Sequence, residues 1–287
     1  MSSQPPGPFV HTPVAHNYAS ASSNKIHDDA TARRFGFAGA LVPGVASYGY
    51  LVHPIVLAFG ADWCARGSAS IRLASPVYEG DTVTARATWA TGQQGRRAAL
   101  ELLDGPGARC AEGWAALEEP ADAETLGVPD PEHTPRAPLP EPEERPIATL
   151  ETLRAGTVLG SLPLGPWPRA ELPQIAAQYR DPSPRYAADA AEPALHPAHV
   201  LHAANTILVR NALLGPWIHA ASRVRHLRAI DVARRHELRG RVAEAGTRRG
   251  HEIVTLELAL FDDAEQPVAA IRHTAIIRPR QAVEQEG

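Results

Sequence analysis

The sequence predicts an α+β protein built from two similar units, each with one long apolar helix followed by antiparallel strands. Two observations predict this arrangement. An apolar segment of helical length occurs once in each half of the chain, and segments with β character follow each of them. A proline-rich, acidic segment lies between the halves and separates the units. With 287 residues and 44% hydrophobic residues, the chain is long enough to form two such cores.

The first apolar segment is ALVPGVASYGYLVHPIVLAFG, and the second is ALHPAHVLHAANTILVRNALLG. Both open with Ala-Leu-X-Pro, and a proline suits the first turn of a helix, where its missing N–H costs no hydrogen bond. We therefore expect helices over Pro43–Phe59 and Pro197–Leu214. His53 and Pro54 interrupt the first segment, which argues against a membrane span.

Strand-like segments follow both helices, over 70–89 and 97–117 in the first half and over 223–242 and 252–279 in the second. Asp104-Gly105 and Asp262-Asp263 interrupt the last segment of each half, which indicates hairpin connections at these points.

The segment from Glu118 to Leu150 is rich in proline and acidic residues, and it has almost no apolar periodicity. Such a segment favours an extended chain without a core of its own. We therefore predict an N-terminal unit over 10–117, a linker over 118–149 and a C-terminal unit over 150–280.

Composition excludes several classes of protein. The net charge of −4 does not favour a nucleic-acid partner. Two cysteines cannot form a disulfide framework, and Lys25 is the single lysine, so Schiff-base chemistry has one candidate only. The N-terminus has no secretory signal pattern. We expect a cytoplasmic protein with no membrane contact, no cofactor and no metal.

One segment of the first half, NYASASSNKIHDDATARRFGFAGALVPG, carries a motif. It contains Asn24, Ile26 and His27, then an acidic, alanine-rich stretch, a Gly-Phe pair and Gly44 at the start of the first helix. This motif and the order of elements resemble the MaoC-like, R-specific enoyl-CoA hydratase family, specifically its double-hotdog members. The resemblance covers both halves and implies a pseudo-dimeric double hotdog, in which a curved antiparallel sheet wraps each long helix.

The family motif is an Asp, any residue, Asn, Pro, an aliphatic residue and His. Here Ser22 stands in place of the Asp and Lys25 in place of the Pro. The resemblance implies that His27 is the catalytic acid/base, and an imidazole can both accept and deliver a proton near neutral pH. It also implies that Ser22 places water or substrate beside His27.

The remaining candidates of the first half would bind substrate. Asn24 and Tyr48 are assigned to substrate contacts, although Asn24 could instead order its own loop. Gly44 would begin the first long helix, where free backbone N–H groups and the helix dipole can stabilise a developing enolate oxygen.

The second half carries an incomplete copy of the motif in QYRDPSPRYAAD. Asp181 is kept, but Tyr186 stands in place of the His. We predict that this half is degenerate and forms part of the substrate groove, with Asp181, Tyr186 and His199 as secondary candidates. His196, His199 and His202 follow one another at three-residue spacing, which drifts around a helix by about 60° per step and does not favour a zinc site.

The resemblance implies a hydratase/dehydratase-type lyase that acts on an acyl or β-hydroxyacyl thioester of coenzyme A or of an acyl-carrier protein. Because Ser22 replaces the Asp, an elimination, isomerisation or cyclisation of a specialised metabolite remains an alternative. A non-catalytic acyl-thioester binding protein is an alternative of another class. The acyl chain, the direction of reaction and the question of a homodimer stay open.

Overall fold

The computed structural model describes residues 7–93, 95–118 and 126–280. Five α-helices occur in these ranges: α1 (Asp29–Arg34), α2 (Gly44–Phe59), α3 (Trp63–Arg66), α4 (Leu172–Ala177) and α5 (His199–Asn211). The helix expected over Pro43–Phe59 is confirmed as α2, with Pro43 at its N-cap. No helix of the described ranges combines the length and the apolarity needed to cross a membrane.

The second long helix is shorter than the expected Pro197–Leu214, so that boundary was wrong. It ends at Asn211 because the next residues pair with the segment between the units instead. The backbone N–H of Leu213 donates to the carbonyl of Pro146 at 2.8 Å, and the N–H of Ala148 donates to the carbonyl of Leu213 at 2.9 Å.

Ten antiparallel strands form one sheet in the order β1-β3-β4-β5-β2-β7-β10-β9-β8-β6. The strands are β1 (Phe9–His11), β2 (Ser68–Leu73), β3 (Thr84–Trp89), β4 (Arg97–Leu103), β5 (Arg109–Ala116), β6 (Val158–Leu164), β7 (Ile218–His226), β8 (His236–Arg248), β9 (His251–Asp262) and β10 (Pro267–Arg278). The hairpins expected at Asp104-Gly105 and Asp262-Asp263 are confirmed, between β4 and β5 and between β9 and β10.

The pairing of β2 with β7 joins the two units edge to edge. Ser68 lies opposite Arg225 and Ile71 opposite Ser222 in this register. The five strands of each unit follow the same order outward from the junction, so the two halves repeat one topology. α2 packs on β1, β3 and β4 of its own unit, and α5 packs on β6, β8 and β10 of the other.

The segment between the units runs along β6 of the second unit. The backbone N–H of Ser161 donates to the carbonyl of Ala137 at 2.8 Å. A Cβ on Gly160 would lie 2.5 Å from the carbonyl oxygen of Pro138, so only glycine allows the segment to approach this closely. The end of the segment reaches the chain after α5, where Ala148 is buried.

Candidate active site

A cavity of about 590 Å³ lies where the two units meet. The loop before α2, the first turn of α2 and the end of β2 form its first wall. The other wall consists of the start of β7, the middle turn of α5 and the end of β10. Apolar side chains dominate the lining, among them Phe35, Phe37, Leu73, Trp217 and Ile276. A largely apolar cavity with a few polar groups is the usual form of a small-molecule site.

His27 contributes an imidazole to this cavity. Its Nδ1 lies 2.6 Å from the carbonyl oxygen of Leu41. Because a carbonyl only accepts, Nδ1 carries the proton and Nε2 presents a lone pair. Burial lowers the pKa of His27, although the hydrogen bond to Leu41 opposes this shift. His27 is therefore a neutral imidazole whose orientation and tautomer are set by the backbone.

Asn24 holds the loop that carries His27. Its Oδ1 accepts from the N–H of Ile26 at 3.3 Å, and its Nδ2 lies 3.4 Å from Nε2 of His27. The same amide bonds to the backbone of Trp217 in the second unit. Asn24 is buried and lines the cavity, so it orders the loop and also faces the space where a ligand would bind.

Gly44 is the first residue of α2 and lines the cavity. Pro43 at the N-cap offers no side-chain hydrogen bond to the first turn, so the N-terminal N–H groups of α2 have no side-chain cap. A Cβ on Gly44 would lie 2.3 Å from Cδ1 of Leu73. A side chain here would crowd Leu73 and His219, so glycine allows the close packing beside a helix end that favours negative charge.

Two candidates of the first half lie outside the cavity lining. The hydroxyl of Ser22 donates to the carbonyl of Asn24 at 3.4 Å instead of facing the cavity. Tyr48 is completely buried in the core, and burial raises the pKa of its hydroxyl, with Cys64 adding to the shift. Within the described ranges this hydroxyl has no hydrogen-bond partner. The structure brings neither side chain to the lining of this cavity.

The incomplete motif of the second half forms a buried cluster of its own. Asp181 lies 2.7 Å from Nδ1 of His53 on α2 and 3.2 Å from Nε2 of His196. Burial opposes ionisation, but the hydrogen bonds from the two histidines lower the pKa of Asp181 well below its usual value. Tyr186 packs on His196 with ring centroids 4.9 Å apart. Side chains fill this region, and none of the four lines the cavity.

His199, the remaining secondary candidate, also lies outside the cavity lining. Its ring stacks on that of His202 at 5.1 Å and meets the edge of Trp167 at 6.2 Å. Burial lowers the pKa of His199 to about 3, so this imidazole is neutral. His196 faces Asp181 instead, whereas the rings of His199 and His202 lie against each other.

No protein-family model matches the sequence, and no curated protein does. Solved structures of similar fold do exist. A conserved protein of Mycobacterium tuberculosis with a double hotdog fold has a TM-score of 0.62 at 15% identity, and the alignment covers 96% of both chains. The chain has a double hotdog fold. This result confirms the fold that the sequence predicts.

Dehydratases are among the other structures of similar fold. A MaoC domain dehydratase from Chloroflexus aurantiacus has a TM-score of 0.61 at 13% identity, with 97% of this chain and 96% of that chain aligned. A dehydratase-cyclase domain of ambruticin biosynthesis has a TM-score of 0.50 at 17% identity, with 96% and 90% aligned. At these identities the likeness concerns the fold alone.

The second hotdog unit contributes polar side chains that the sequence analysis missed. Asn205 on α5 lines the cavity, and its buried Oδ1 has no partner in the described part of the chain. His219 on β7 lines the cavity as well and is only 4% exposed. A polar residue within an apolar helix was a signal that could have found Asn205. The sequence contains 13 histidines, and nothing local distinguishes His219 among them.

The cavity of the double hotdog also has a basic border. Arg280 and His251 both line it, and the backbone N–H of Arg280 donates to Nδ1 of His251 at 3.0 Å. Both side chains belong to the second unit, at the end of β10 and the start of β9. A guanidinium at this position could contact a phosphate of a ligand that enters the cavity.

Proposed function

We propose that the protein is a hydratase/dehydratase-type lyase that acts on an acyl or β-hydroxyacyl thioester of coenzyme A or of an acyl-carrier protein. His27 would be its single acid/base. One observation carries the proposal: His27, whose Nε2 carries a lone pair, lines the same cavity as Gly44 in the uncapped first turn of α2. A base and a group that stabilises negative charge are the two requirements of α-proton removal from a thioester.

In the dehydration direction, Nε2 of His27 would remove a proton from Cα of a β-hydroxyacyl thioester. The electron pair of the C–H bond would become an enolate, whose oxygen would accept a hydrogen bond from the N–H of Gly44. The enolate would then re-form the carbonyl and expel the β-hydroxyl. The imidazolium would return its proton to the oxygen of the departing β-hydroxyl, so that water leaves and His27 is neutral again. Hydration is the same path in reverse.

The borders of the cavity support a thioester ligand. Phe35, Phe37 and Ile276 offer an apolar surface for an acyl chain. Arg280 would pair with a phosphate of coenzyme A or of a phosphopantetheine arm.

A second candidate follows from the residues that line the cavity. Within the described ranges, no Asp or Glu is among them. Elimination, isomerisation or cyclisation of a specialised metabolite needs one acid/base group only, so it fits His27 without the family's Asp. Such chemistry would use the same His27 and Gly44. A non-catalytic acyl-thioester binding protein would use the cavity without any need for the Nε2 lone pair.

The experiment compares the wild type with His27→Ala and His27→Gln on crotonyl-CoA, (R)-3-hydroxybutyryl-CoA and longer homologues. We expect turnover to fall by about 10²–10⁴-fold with thioester affinity retained, because positioned acid/base groups contribute about that much. His133→Ala is the matched control, because His133 is an exposed histidine bonded to Asp130. Unchanged turnover in His27→Ala would overturn the assignment, and tight binding without turnover in the wild type would favour the binding protein.

A further inference from the structure

Behind the cavity, three buried polar side chains of the second unit form a hydrogen-bonded chain. Nε2 of His219 lies 2.7 Å from Oγ of Ser222, and the same Oγ lies 2.8 Å from Nδ1 of His273. The two imidazole rings also stack, with centroids 4.5 Å apart. All three residues are at least nine-tenths buried. The strands that carry them are neighbours, since Ser222 of β7 pairs directly with His273 of β10.

The protons of these three side chains can be placed by starting from His273, at the buried end of the hydrogen-bonded series. Nε2 of His273 has no hydrogen-bond partner among the residues that the structure describes. A buried N–H without an acceptor is among the rarest arrangements in proteins, so the proton of His273 belongs on Nδ1. Nδ1–H then donates to Oγ of Ser222. Within the described residues, Nε2 of His219 is the one remaining partner of this buried hydroxyl, so the hydroxyl proton donates to Nε2. His219 therefore carries its own proton on Nδ1.

Both imidazoles of the chain are neutral at ordinary pH. Burial lowers the pKa of His219 to about 4. Burial and the neighbouring His219 hold the pKa of His273 well below its usual value. A neutral imidazole has one N–H, and the nitrogen that carries this proton can only donate a hydrogen bond. A neutral histidine with a lowered pKa can act in this way as an electrophile that polarises a carbonyl.

The free end of the chain lies beside the first turn of α2. Within the described residues Nδ1 of His219 has no partner, so its N–H, unlike the buried end at His273, depends on a ligand in the cavity for its acceptor. This atom lies 2.9 Å from the position that a Cβ on Gly44 would occupy. His219 and Gly44 line the same cavity. The first turn of α2 lacks a side-chain cap, so the helix end and the imidazole N–H would both present hydrogen-bond donors at one place.

We propose that Nδ1–H of His219 donates a hydrogen bond to the carbonyl oxygen of a bound acyl thioester, together with the backbone N–H of Gly44. Ser222 and His273 are positioning residues that fix the tautomer of His219. The identity of the ligand rests on the proposed function above. In this arrangement the first unit supplies the base. The second unit supplies a hydrogen-bond donor that stabilises the negative charge formed when the base removes a proton.

The tautomer is tested without any ligand, by ¹⁵N NMR of the full chain with ring-labelled histidine. We expect a neutral Nδ1–H form for His219, assigned by the loss of its signals in His219→Gln. Ser222→Ala should shift His219 toward the Nε2–H form, because Nε2 no longer accepts from the hydroxyl. A wild-type His219 that carries its proton on Nε2 would overturn the proposal whatever reaction the protein performs.

The role toward a ligand is tested with acetoacetyl-CoA, whose enolate has its own ultraviolet absorbance band. The wild type should bind this probe and increase its enolate fraction. His219→Leu should reduce the enolate fraction of the bound probe by at least 10-fold, while His219→Gln, which keeps an N–H donor, should lose less. His226→Leu is the control, since His226 is another buried histidine of β7 that does not line the cavity.

The outcomes separate the two proposals. Equal enolate fractions in the wild type and His219→Leu, both folded and both binding the probe, would overturn the role of His219 alone. Failure of the wild type to bind acetoacetyl-CoA would overturn the proposed function and, with it, the ligand assigned to His219. Should His219→Leu not fold, Ser222→Ala decides, since loss of the Nδ1–H form must then lower the enolate fraction.

Discussion

Asn24 and Trp217 are joined by two hydrogen bonds, although they are 193 residues apart in the sequence. Nδ2 of Asn24 donates to the carbonyl of Trp217 at 3.0 Å, and the N–H of Trp217 donates to Oδ1 of Asn24 at 3.2 Å. One side chain thus satisfies both backbone groups of a residue in the other unit. The loop that carries His27 is thereby fixed to the start of β7, on the opposite wall of the cavity.

Asn24→Ala should lower the free energy of unfolding by about 1–3 kcal/mol, because two buried backbone groups of Trp217 lose their partner. Denaturant unfolding measures this. Ser23→Ala, an exposed neighbour, should stay within about 0.5 kcal/mol of the wild type. Equal stability of Asn24→Ala and Ser23→Ala would mean that the two units do not depend on this amide.

Gly44→Ala should lower both stability and thioester binding. The added Cβ would come within 2.3 Å of Leu73 and 2.9 Å of His219, and such overpacking costs about 1–3 kcal/mol. Gly215→Ala is the matched control, because a Cβ there meets no atom within 4 Å. The measurements are thermal unfolding and the dissociation constant for acetoacetyl-CoA, and comparable values in the two variants would contradict the prediction.

Asn205→Leu should weaken the binding of 3-hydroxybutyryl-CoA by about 10-fold. The variant loses one hydrogen bond from the substrate hydroxyl to Oδ1 of Asn205, and such a bond contributes about that much to affinity. Butyryl-CoA lacks the hydroxyl and should bind both proteins alike, so it serves as the internal control. Titration calorimetry compares the two ligands. An equal loss for both would indicate a change of cavity shape instead of a lost hydrogen bond.

His226 should make the fold sensitive to acid. Burial lowers its pKa to about 4, and neither ring nitrogen has a hydrogen-bond partner among the described residues. As pH falls from 6.5 toward 4, the unfolded chain binds a proton at His226 that the folded chain does not, so the free energy of unfolding decreases. His226→Leu and His226→Gln should both reduce that slope by up to about 1.4 kcal/mol per pH unit. Unfolding curves at several pH values measure the slope, and an unchanged slope in both variants would refute the assignment.

The sequence predicted elements whose signals are local. Pro43 marks the start of α2, and Asp104-Gly105 marks a hairpin, because each residue type has a fixed backbone preference. The end of α5 was misplaced because it depends on Leu213, which pairs with residues more than sixty positions earlier in the chain. No local pattern predicts such a contact.

In the candidate site, too, only residues with a local sequence signal could be predicted. His27 was found because a contiguous motif surrounds it, and the structure places it in the cavity. Ser22 was selected by its spacing from His27, but the local turn directs its hydroxyl to the backbone of Asn24. His219 and Asn205 enter the cavity from the other unit, and only the strand pairing and the packing of the helices bring them there.

Because β2 pairs with β7, the two halves of the gene must be expressed together for either unit to function. A first unit produced alone would expose the free backbone groups of β2 to solvent, and exposed strands of this kind associate with other chains. It would also lack Trp217, Asn205 and His219. A mutation that disturbs this strand pair, distant from His27 in sequence, would therefore act as a loss-of-function allele, and a screen for such alleles should find them in both halves of the chain.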